Sequence, residues 1–296
     1  MKEFTLGPKL GDNVIKDTLG VGSTAKVVSA YNTRLDEEVA LKVYHPDHPK
    51  EAFDRELSIH TDLQDTQPHV VPLLDSQRED GSYRYLVLGK ANGGTAIEAV
   101  NTHGPMGIEK GVEVLLKLAV PLDALQDEGK QHGDVKTATI LFSESPATEV
   151  HDVWASDFGA TRPVNMDGER SSTSIGTVTY ASPEQVSGKV SPTSDQFGAA
   201  ASLVEVSFGE KLIPIPVAQR YRKQVLSRAF GEYLTFRTNL VVPEPYRSPI
   251  RRAMDPDHEN RFSSVGAFVQ DVAHRHADVV SEGKKPVTII DLAPKK

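Results

Sequence analysis

The hydrophobic pattern of this 296-residue chain changes once, near the ANGG segment at 91–94, and this change constrains the fold strongly. Before it, apolar residues alternate or form short β-branched runs, as is typical of strands. After it, they recur every three or four residues, as is typical of helices. The order predicts an α+β protein in which a small β-rich lobe precedes a larger, mainly helical lobe.

The β-rich part contains one predicted helix among several strands. Residues 14–32 alternate around a glycine turn and predict a hairpin. Phe53, Leu57, His60 and Leu63 recur at helical spacing and predict a helix over 50–65. Further strands are expected over 37–45, 69–75 and 83–90.

The helical part contains three strong helix patterns. The segment 193–209 is apolar nearly all round, which predicts a buried helix. Amphipathic helices are expected over 110–129 and 263–280.

Composition excludes several function classes. The net charge of −8 argues against non-specific binding to nucleic acid. The absence of cysteine rules out a disulfide framework and a thiol nucleophile. No run of 18 apolar residues predicts a membrane segment in this chain, and the first residues lack the features of a signal peptide. We therefore expect a cytoplasmic protein.

Two acid-bearing segments carry the chemistry. QHGDVKTATILF at 131–142 places Asp134 two residues before Lys136, and ASDFGAT at 155–161 contains Asp157 in a D-F-G triplet. Phosphoryl transfer from ATP needs one carboxylate near the acceptor hydroxyl and another that holds Mg²⁺. The two segments are close enough in sequence to form adjacent turns, so they are compatible with this reaction.

A glycine-rich turn and a strand lysine add to this hypothesis. Gly20 and Gly22 follow a strand, and backbone amides can approach phosphate oxygens where no Cβ intervenes. Such a G-x-G pair is more often a plain turn. Lys42 on a later strand could reach the α and β phosphates, and Glu56 on the predicted helix could orient it. Each alone would be an ordinary surface residue.

The order of these motifs makes residues 12–282 resemble the bacterial, eukaryotic-like (Hanks-type) Ser/Thr protein kinases. The motifs are the glycine loop, V-A-L-K at 39–42, Glu56, H-G-D-V-K at 132–136, D-F-G at 157–159 and S-P-E at 182–184.

The resemblance implies a bilobal protein-kinase-like fold. Its expected parts are an N-terminal extension over 1–11, the N-lobe and hinge over 12–91, the C-lobe over 92–282 and a polar tail over 283–296.

The resemblance also implies a role for each site residue. Asp134 would accept or orient the proton of the acceptor hydroxyl, and Lys136 would stabilise the transferring γ-phosphoryl group. Lys42 would bind the ATP phosphates and pair with Glu56. Asp157 and Thr139 would hold Mg²⁺ or Mn²⁺. The residues implied to contact ATP are Gly20, Gly22, Val27, Ala40, Lys42, Leu88, Gly89, Ala91 and Leu141.

Three further residues are implied to be structural. Glu184 would form a buried ion pair with Arg261, and Asp195 would anchor the backbone of the catalytic loop. The S-P-E segment that contains Glu184 separates a protein kinase from a small-molecule phosphotransferase, which can also contain H-G-D.

The catalytic loop departs from the family pattern and is degenerate. Gly133 replaces the usual Arg, so we expect activity to depend little on phosphorylation of Ser171–Ser174. Thr139 replaces the metal-binding Asn and would lower the rate by about 10²–10³-fold. Thr137 replaces the usual Pro and is expected to affect only loop stiffness. Ala25 replaces the third glycine of the loop, a mild change.

The resemblance implies a signalling Ser/Thr protein kinase that transfers the ATP γ-phosphate to a protein hydroxyl with Mg²⁺. Thr177 together with Lys136 favours serine or threonine over tyrosine as the acceptor. One alternative is a nucleotide-binding pseudokinase that regulates or scaffolds a partner, because Thr139 weakens the metal site. A small-molecule kinase is the other alternative. The expected partners are a protein substrate or regulated partner and a second copy of the chain, with no nucleic acid.

Overall fold

The computed structural model describes residues 5–80, 83–147, 149–164, 178–221 and 228–282. The chain divides into two compact units, 1–92 and 93–296. The residues Ser171–Ser174, Thr177 and the tail at 283–296 lie outside the described residues, so the predictions made for them stay predictions. Within the described residues, no helix has both the length and the apolar content to cross a membrane.

The first unit is a six-stranded antiparallel sheet with one helix. The sheet order is β1-β2-β3-β4-β6-β5. The strands are β1 (Lys9–Leu10), β2 (Asn13–Val21), β3 (Ala25–Asn32), β4 (Glu37–Tyr44), β5 (Leu73–Asp80) and β6 (Tyr83–Gly89), and the helix α1 (Lys50–Thr66) follows β4.

Alternation along β4 gives the sheet two different faces. Val39, Leu41 and Val43 point to one side, where they form a buried core with residues of β3 and β6. Because side chains alternate along a strand, Lys42 and Tyr44 lie on the opposite side. Tyr44 meets Phe53 of α1 edge to face, with ring centroids 5.1 Å apart.

The predicted elements of this unit are found, with one strand shifted. The expected strand over 69–75 was wrong in its position, because β5 begins only at Leu73. His69 has a φ of 63°, which interrupts an extended backbone, and Pro72 has no N–H for a ladder. Val70 and Val71 are nevertheless buried, and Val70 forms a single β-bridge outside β5, so their apolar character serves packing more than a continuous strand.

The second unit is mainly helical. Its helices are α2 (Ala96–His103), α3 (Ile108–Asp127), α4 (Pro183–Val186), α5 (Ser194–Phe208), α6 (Ile215–Tyr221), α7 (Arg228–Val241), α8 (Glu244–Ala253) and α9 (Val265–Ser281). Two short antiparallel sheets pair β7 (Lys130–Gln131) with β10 (Arg162–Pro163), and β8 (Ile140–Phe142) with β9 (Val153–Ala155).

Helix α5 is the centre of this unit, as its apolar pattern predicts. All fifteen of its residues are buried. A Cβ on Gly111 of α3 would lie 2.0 Å from the Ser207 Oγ of α5, so the glycine permits the close approach of these two helices. Asp123 of α3 accepts hydrogen bonds from the backbone N–H groups of Val265 and Gly266 at the start of α9. These contacts fix the frame on which the loops before β8 and after β9 are held.

Candidate active site

The loop between β7 and β8 brings Asp134 and Lys136 together. The Lys136 Nζ donates to Asp134 Oδ2 at 2.5 Å. The other oxygen, Oδ1, is buried and has no hydrogen-bond partner among the described residues. The side chains of Asp134 and Lys136 are 18% and 20% exposed. One carboxylate oxygen is therefore held by a cation, and the second keeps its capacity to accept a proton or hydrogen bond.

Asp195 of α5 holds the start of this loop, as the resemblance implied. Its two carboxylate oxygens accept from the backbone N–H groups of His132 at 2.7 Å and Gly133 at 2.8 Å. The His132 ring meets Phe158 edge to face at 5.2 Å, and its Nε2 lies 3.0 Å from the Ser156 carbonyl oxygen. Both acid-bearing segments thus rest on the same buried support.

Gly133 adopts a backbone conformation that suits glycine. Its φ is +81°, and a Cβ at this position would lie 2.8 Å from the Ala160 carbonyl oxygen. Its own carbonyl accepts from Gln185 Nε2 at 3.4 Å. A side chain would be strained in this conformation, so the glycine that stands in place of the usual Arg suits the backbone found here and leaves the position without a cation.

The Thr139 hydroxyl braces the catalytic loop from within. It lies 3.0 Å from the carbonyl oxygens of Asp134 and Lys136, and it accepts from the Lys136 N–H at 3.2 Å. The residue is 5% exposed. The threonine therefore makes the hydrogen bonds to the loop backbone that an Asn amide would make. Its single side-chain oxygen is largely used by these bonds and is less available to a metal ion.

The D-F-G segment is joined to this loop through Thr139. The backbone N–H and the Oγ of Ser156 both donate to the Thr139 carbonyl oxygen, at 3.1 Å and 3.0 Å. Asp157 follows with a left-handed φ of 68°, an uncommon conformation for a residue with a side chain. Phe158 is buried, whereas Asp157 is exposed. The turn thus presents a carboxylate next to the loop that carries Asp134.

In the first unit, Lys42 and Glu56 form a buried ion pair. The Lys42 Nζ donates to Glu56 Oε1 at 2.5 Å, and the two residues are 7% and 3% exposed. Lys42 is paired across the sheet with Val27, and Ala40 with Leu88. Because directly paired residues and alternate residues share a face, these four predicted site residues lie on one face of the sheet.

The two loop glycines differ in what their backbones do. Gly20 lies in β2 opposite Val27, and a Cβ there would meet nothing within 4 Å. The Gly22 N–H donates to the Ala25 carbonyl oxygen at 2.8 Å and closes the hairpin turn. The Gly22 N–H is therefore already donated within the turn. It is less suited than the neighbouring backbone N–H groups to the phosphate contact that was expected of it.

The remaining predicted ATP contacts lie at the end of β6 and in β8. The Gly89 N–H donates to the Pro72 carbonyl oxygen at 2.8 Å, and Ala91 follows in the loop after the strand. Leu141 belongs to the second unit, where it pairs with Trp154 and is partly exposed.

Glu184 and Arg261 form the buried ion pair that the resemblance implied. Arg261 donates from NH1 to Oε1 at 2.8 Å and from NH2 to Oε2 at 3.0 Å, a bidentate geometry. Burial alone would raise the pKa of Glu184, but the hydrogen bonds and charge of Arg261 lower it below the ordinary value. Ser191 and Ser194 also donate to Oε1. The pair joins the S-P-E segment to the loop before α9.

Sequence reasoning missed a second buried polar cluster. Thr137 donates to Glu205 Oε2 at 2.9 Å, and its Oγ1 lies 2.9 Å from the Tyr180 hydroxyl. Tyr180 also donates to Glu205, and Lys211 lies 3.2 Å from its other oxygen. The signal that could have revealed this cluster is Glu205 itself, a carboxylate between two valines of a buried helix, which needs partners when buried.

Comparisons with known proteins agree with this geometry. A family model described as "Protein kinase domain" matches residues 14–275. The serine/threonine-protein kinase PknB of Mycobacterium leprae is 27% identical over 97% of this chain and 47% of its own length. The PknB of Mycobacterium tuberculosis is 28% identical over 92% and 44%. The PknD of Mycobacterium tuberculosis is 27% identical over 96% and 42%. The chain thus spans less than half the length of these curated relatives.

Two solved structures share the fold. The kinase domain of Mycobacterium tuberculosis PknI has a TM-score of 0.64 and 18% identity, and covers 92% of this chain and 100% of its own. Rad53 1–466 in complex with AMP-PNP has a TM-score of 0.68 and 20% identity, over 88% and 64%. The predicted α+β fold, with a β-rich N-lobe and a helical C-lobe, is confirmed, as is the resemblance to Hanks-type Ser/Thr kinases.

Proposed function

Because the chain belongs to the protein kinase domain family, we propose that it transfers the γ-phosphate of ATP to a serine or threonine hydroxyl of a protein. The observation that carries this proposal is the state of Asp134. Lys136 holds one of its oxygens, and the other is buried without a partner among the described residues. A carboxylate oxygen in this state can accept the proton of an incoming hydroxyl.

Asp134 and Lys136 act at the reacting atoms in this proposal. The acceptor hydroxyl gives its proton to Asp134 as its oxygen forms a bond to the γ-phosphorus. The bond between the γ-phosphorus and the bridging oxygen breaks, and ADP leaves with the electron pair. Lys136 keeps Asp134 oriented and places positive charge beside the transferring group.

Lys42 and its neighbours would bind the nucleotide. The Lys42 ammonium, held by Glu56, is a point charge suited to phosphate oxygens. Val27, Ala40 and Leu88 add an apolar surface on the same face of the sheet, which suits a purine ring. The expected backbone contacts of Gly20, Gly89 and Ala91, and the side-chain contact of Leu141, complete the proposed set.

The donor chemistry of the second unit fits Mg²⁺. This ion prefers hard oxygen ligands and is usually held by one or two carboxylates together with substrate phosphates. The exposed carboxylate of Asp157 is such a ligand. Thr139, whose hydroxyl serves the loop backbone, would contribute weakly or through water. When bound, Mg²⁺ would neutralise charge on the β- and γ-phosphate oxygens.

The proposal extends to substrate class and setting. The ion-paired S-P-E segment, with Glu184 held by Arg261, supports a protein acceptor rather than a small molecule. We place the activity in the cytoplasm, where ATP is available to such an enzyme.

The direct test is transfer of radiolabelled phosphate from ATP to a basic protein acceptor, with Mg²⁺ or Mn²⁺. We expect the parent to transfer label and Asp134→Asn to reduce the rate by at least about 10²-fold, because the amide cannot accept the proton. Asp152→Asn, which changes an exposed aspartate of the same unit, is the matched control and is expected to leave the rate unchanged.

The other outcomes distinguish the alternatives. Nucleotide binding without any transfer would indicate a pseudokinase. Transfer to metabolites but not to protein would indicate a small-molecule kinase. Equal rates in the parent and Asp134→Asn would contradict the role given to this carboxylate.

A further inference from the structure

Thr137 joins the catalytic loop to two other parts of the helical unit. Its hydroxyl donates to Glu205 Oε2 of α5 at 2.9 Å and contacts the Tyr180 hydroxyl at 2.9 Å. Tyr180 lies just before α4 and is the third residue described after the gap at 165–177. Thr137, Glu205 and Tyr180 are 1%, 2% and 8% exposed. These are contacts that a proline at position 137 could not make.

Glu205 is the centre of this cluster. Its carboxylate accepts from Thr137 and Tyr180, and Lys211 supplies the compensating charge at 3.2 Å. Burial, followed by the neighbouring charge of Glu205, raises the pKa of Tyr180 above its ordinary value, so its hydroxyl remains a donor. A buried carboxylate with several well-made partners has one preferred geometry, because each lost hydrogen bond leaves a buried polar group unsatisfied.

The backbone of Thr137 is held as well. Its carbonyl oxygen accepts from the Ile97 N–H, in the first turn of α2, at 3.3 Å. Hydrogen bonds therefore hold both the side chain and the backbone of Thr137. The residue follows Lys136 directly and lies three residues after Asp134. A shift of the residue would move both catalytic side chains.

We propose that Thr137 is a positioning residue, whose hydroxyl ties the catalytic loop to Glu205 and to the Tyr180 segment and thereby fixes Asp134 and Lys136. This inference rests on the proposed kinase activity, and it replaces the expectation that Thr137 affects only loop stiffness. Its physical basis is that proton transfer and in-line attack depend steeply on geometry, so that a displacement of about 1 Å can lower a rate about 10²-fold.

The test compares three variants of the full chain in the phosphate-transfer assay. Thr137→Val removes the hydroxyl but keeps the shape, and Thr137→Ser keeps the hydroxyl. Thr238→Val is the matched control, because Thr238 is a buried threonine of α7 whose hydroxyl donates to the Leu234 carbonyl oxygen, outside the cluster. Thermal unfolding of each variant checks that it folds, and hydrogen exchange over residues 132–139 reports on the loop.

We expect Thr137→Val to lower kcat by about 10- to 10²-fold with little change in the KM for ATP. Thr137→Ser should restore most of the rate, and Thr238→Val should leave it unchanged. Exchange over 132–139 should rise in Thr137→Val alone. A kcat for Thr137→Val within about twofold of the parent, or an equal fall in Thr238→Val, would overturn the inference.

Failure of the proposed function has a different signature. If the parent transfers no phosphate under any condition, the kinase proposal fails, and hydrogen exchange alone decides the role of Thr137. Faster exchange of the loop in Thr137→Val but not in Thr238→Val would support the positioning role. Equal exchange in both variants would overturn it.

Discussion

At the scale of single residues, two of the departures of this loop from the family pattern are threonines whose hydroxyls hold the loop in place. Thr139 braces the loop from within, through contacts with the backbone of Asp134 and Lys136. Thr137 holds it from outside, through Glu205. Thr139 stands in place of the usual Asn and Thr137 in place of the usual Pro, and each contributes a hydroxyl that forms hydrogen bonds holding the loop. The loop geometry is therefore maintained although the expected metal ligand is weaker.

Thr139→Asn should raise the rate of phosphate transfer. Asparagine can brace the loop with its amide and offer its carbonyl oxygen to Mg²⁺, whereas the threonine oxygen is already used by the backbone. We expect kcat to increase by at least about 10-fold, and by at most the factor of about 10²–10³ that one preorganised electrostatic group contributes. The measurement is kcat as a function of Mg²⁺ concentration.

Thr139→Val is the control for this experiment, because it removes the brace without adding a ligand. It should lower kcat at every Mg²⁺ concentration. If Thr139→Asn neither raises kcat nor changes its dependence on Mg²⁺, the threonine already supplies all that the reaction needs from this position.

At the scale of secondary-structure elements, α1 buries two ionisable side chains one turn apart. The charge of Glu56 is compensated by its ion pair with Lys42. His60 is 2% exposed, and its Nε2 lies 2.7 Å from the Val71 carbonyl oxygen. Burial is the largest cause that lowers the pKa of His60, to about 4 from 6.5, and the charge of Lys42 also lowers it. The surroundings of His60 in the folded protein thus favour its uncharged form.

The stability of the chain should therefore fall as the pH drops below 6.5. The folded state holds His60 uncharged down to about pH 4, whereas the unfolded chain binds a proton near pH 6.5. This contribution is complete above pH 6.5 and is lost progressively towards pH 4. Between pH 7.5 and pH 5.0 it amounts to about 2 kcal/mol of unfolding free energy.

Chemical denaturation of the parent and of His60→Gln at the two pH values measures this effect. Glutamine keeps an N–H that can donate to Val71 but does not titrate, so the variant should lose about 2 kcal/mol less than the parent. His151→Gln, at an exposed histidine, should behave like the parent. Equal losses in the parent and His60→Gln would show that His60 does not sense pH.

At the scale of the whole molecule, local patterns predicted the elements well. The helix over 50–65 is α1, and the pattern at 193–209 is α5, because apolar spacing directly reflects which side of an element is buried. The same reasoning misplaced β5, because the conformation of His69 and the missing N–H of Pro72 decide where pairing begins. The start of a strand depends on its partners more than on its own hydrophobicity.

The sequence pointed to candidate site residues where a short motif contains them, and gave no signal where residues far apart in sequence meet. Asp134, Lys136 and Asp157 lie in recognisable segments, and the anchoring by Asp195 followed from the family resemblance. Thr137 and Glu205 are 68 residues apart, and their contact depends on the packing of a loop on a helix. Local propensity contains no information about such a contact, which is why Thr137 was expected to matter only for loop stiffness.

The proposed nucleotide contacts make a prediction for the folding equilibrium of the whole chain. A ligand that binds only the folded state stabilises it by about 2.7 kcal/mol at a concentration one hundred times its Kd. We expect a non-hydrolysable ATP analogue with Mg²⁺ to raise the unfolding temperature, and removal of Mg²⁺ with a chelator to diminish the increase, because Asp157 and the phosphates would then repel each other.

The matched variants are Lys42→Met with Glu56→Gln, which removes the buried pair without leaving a lone charge, and Lys16→Met with Glu38→Gln, which removes an exposed pair of the same sheet. The first should abolish most of the increase and the second should retain it. An equal increase in both would mean that Lys42 does not bind the phosphates, and an increase that is independent of Mg²⁺ would favour a pseudokinase.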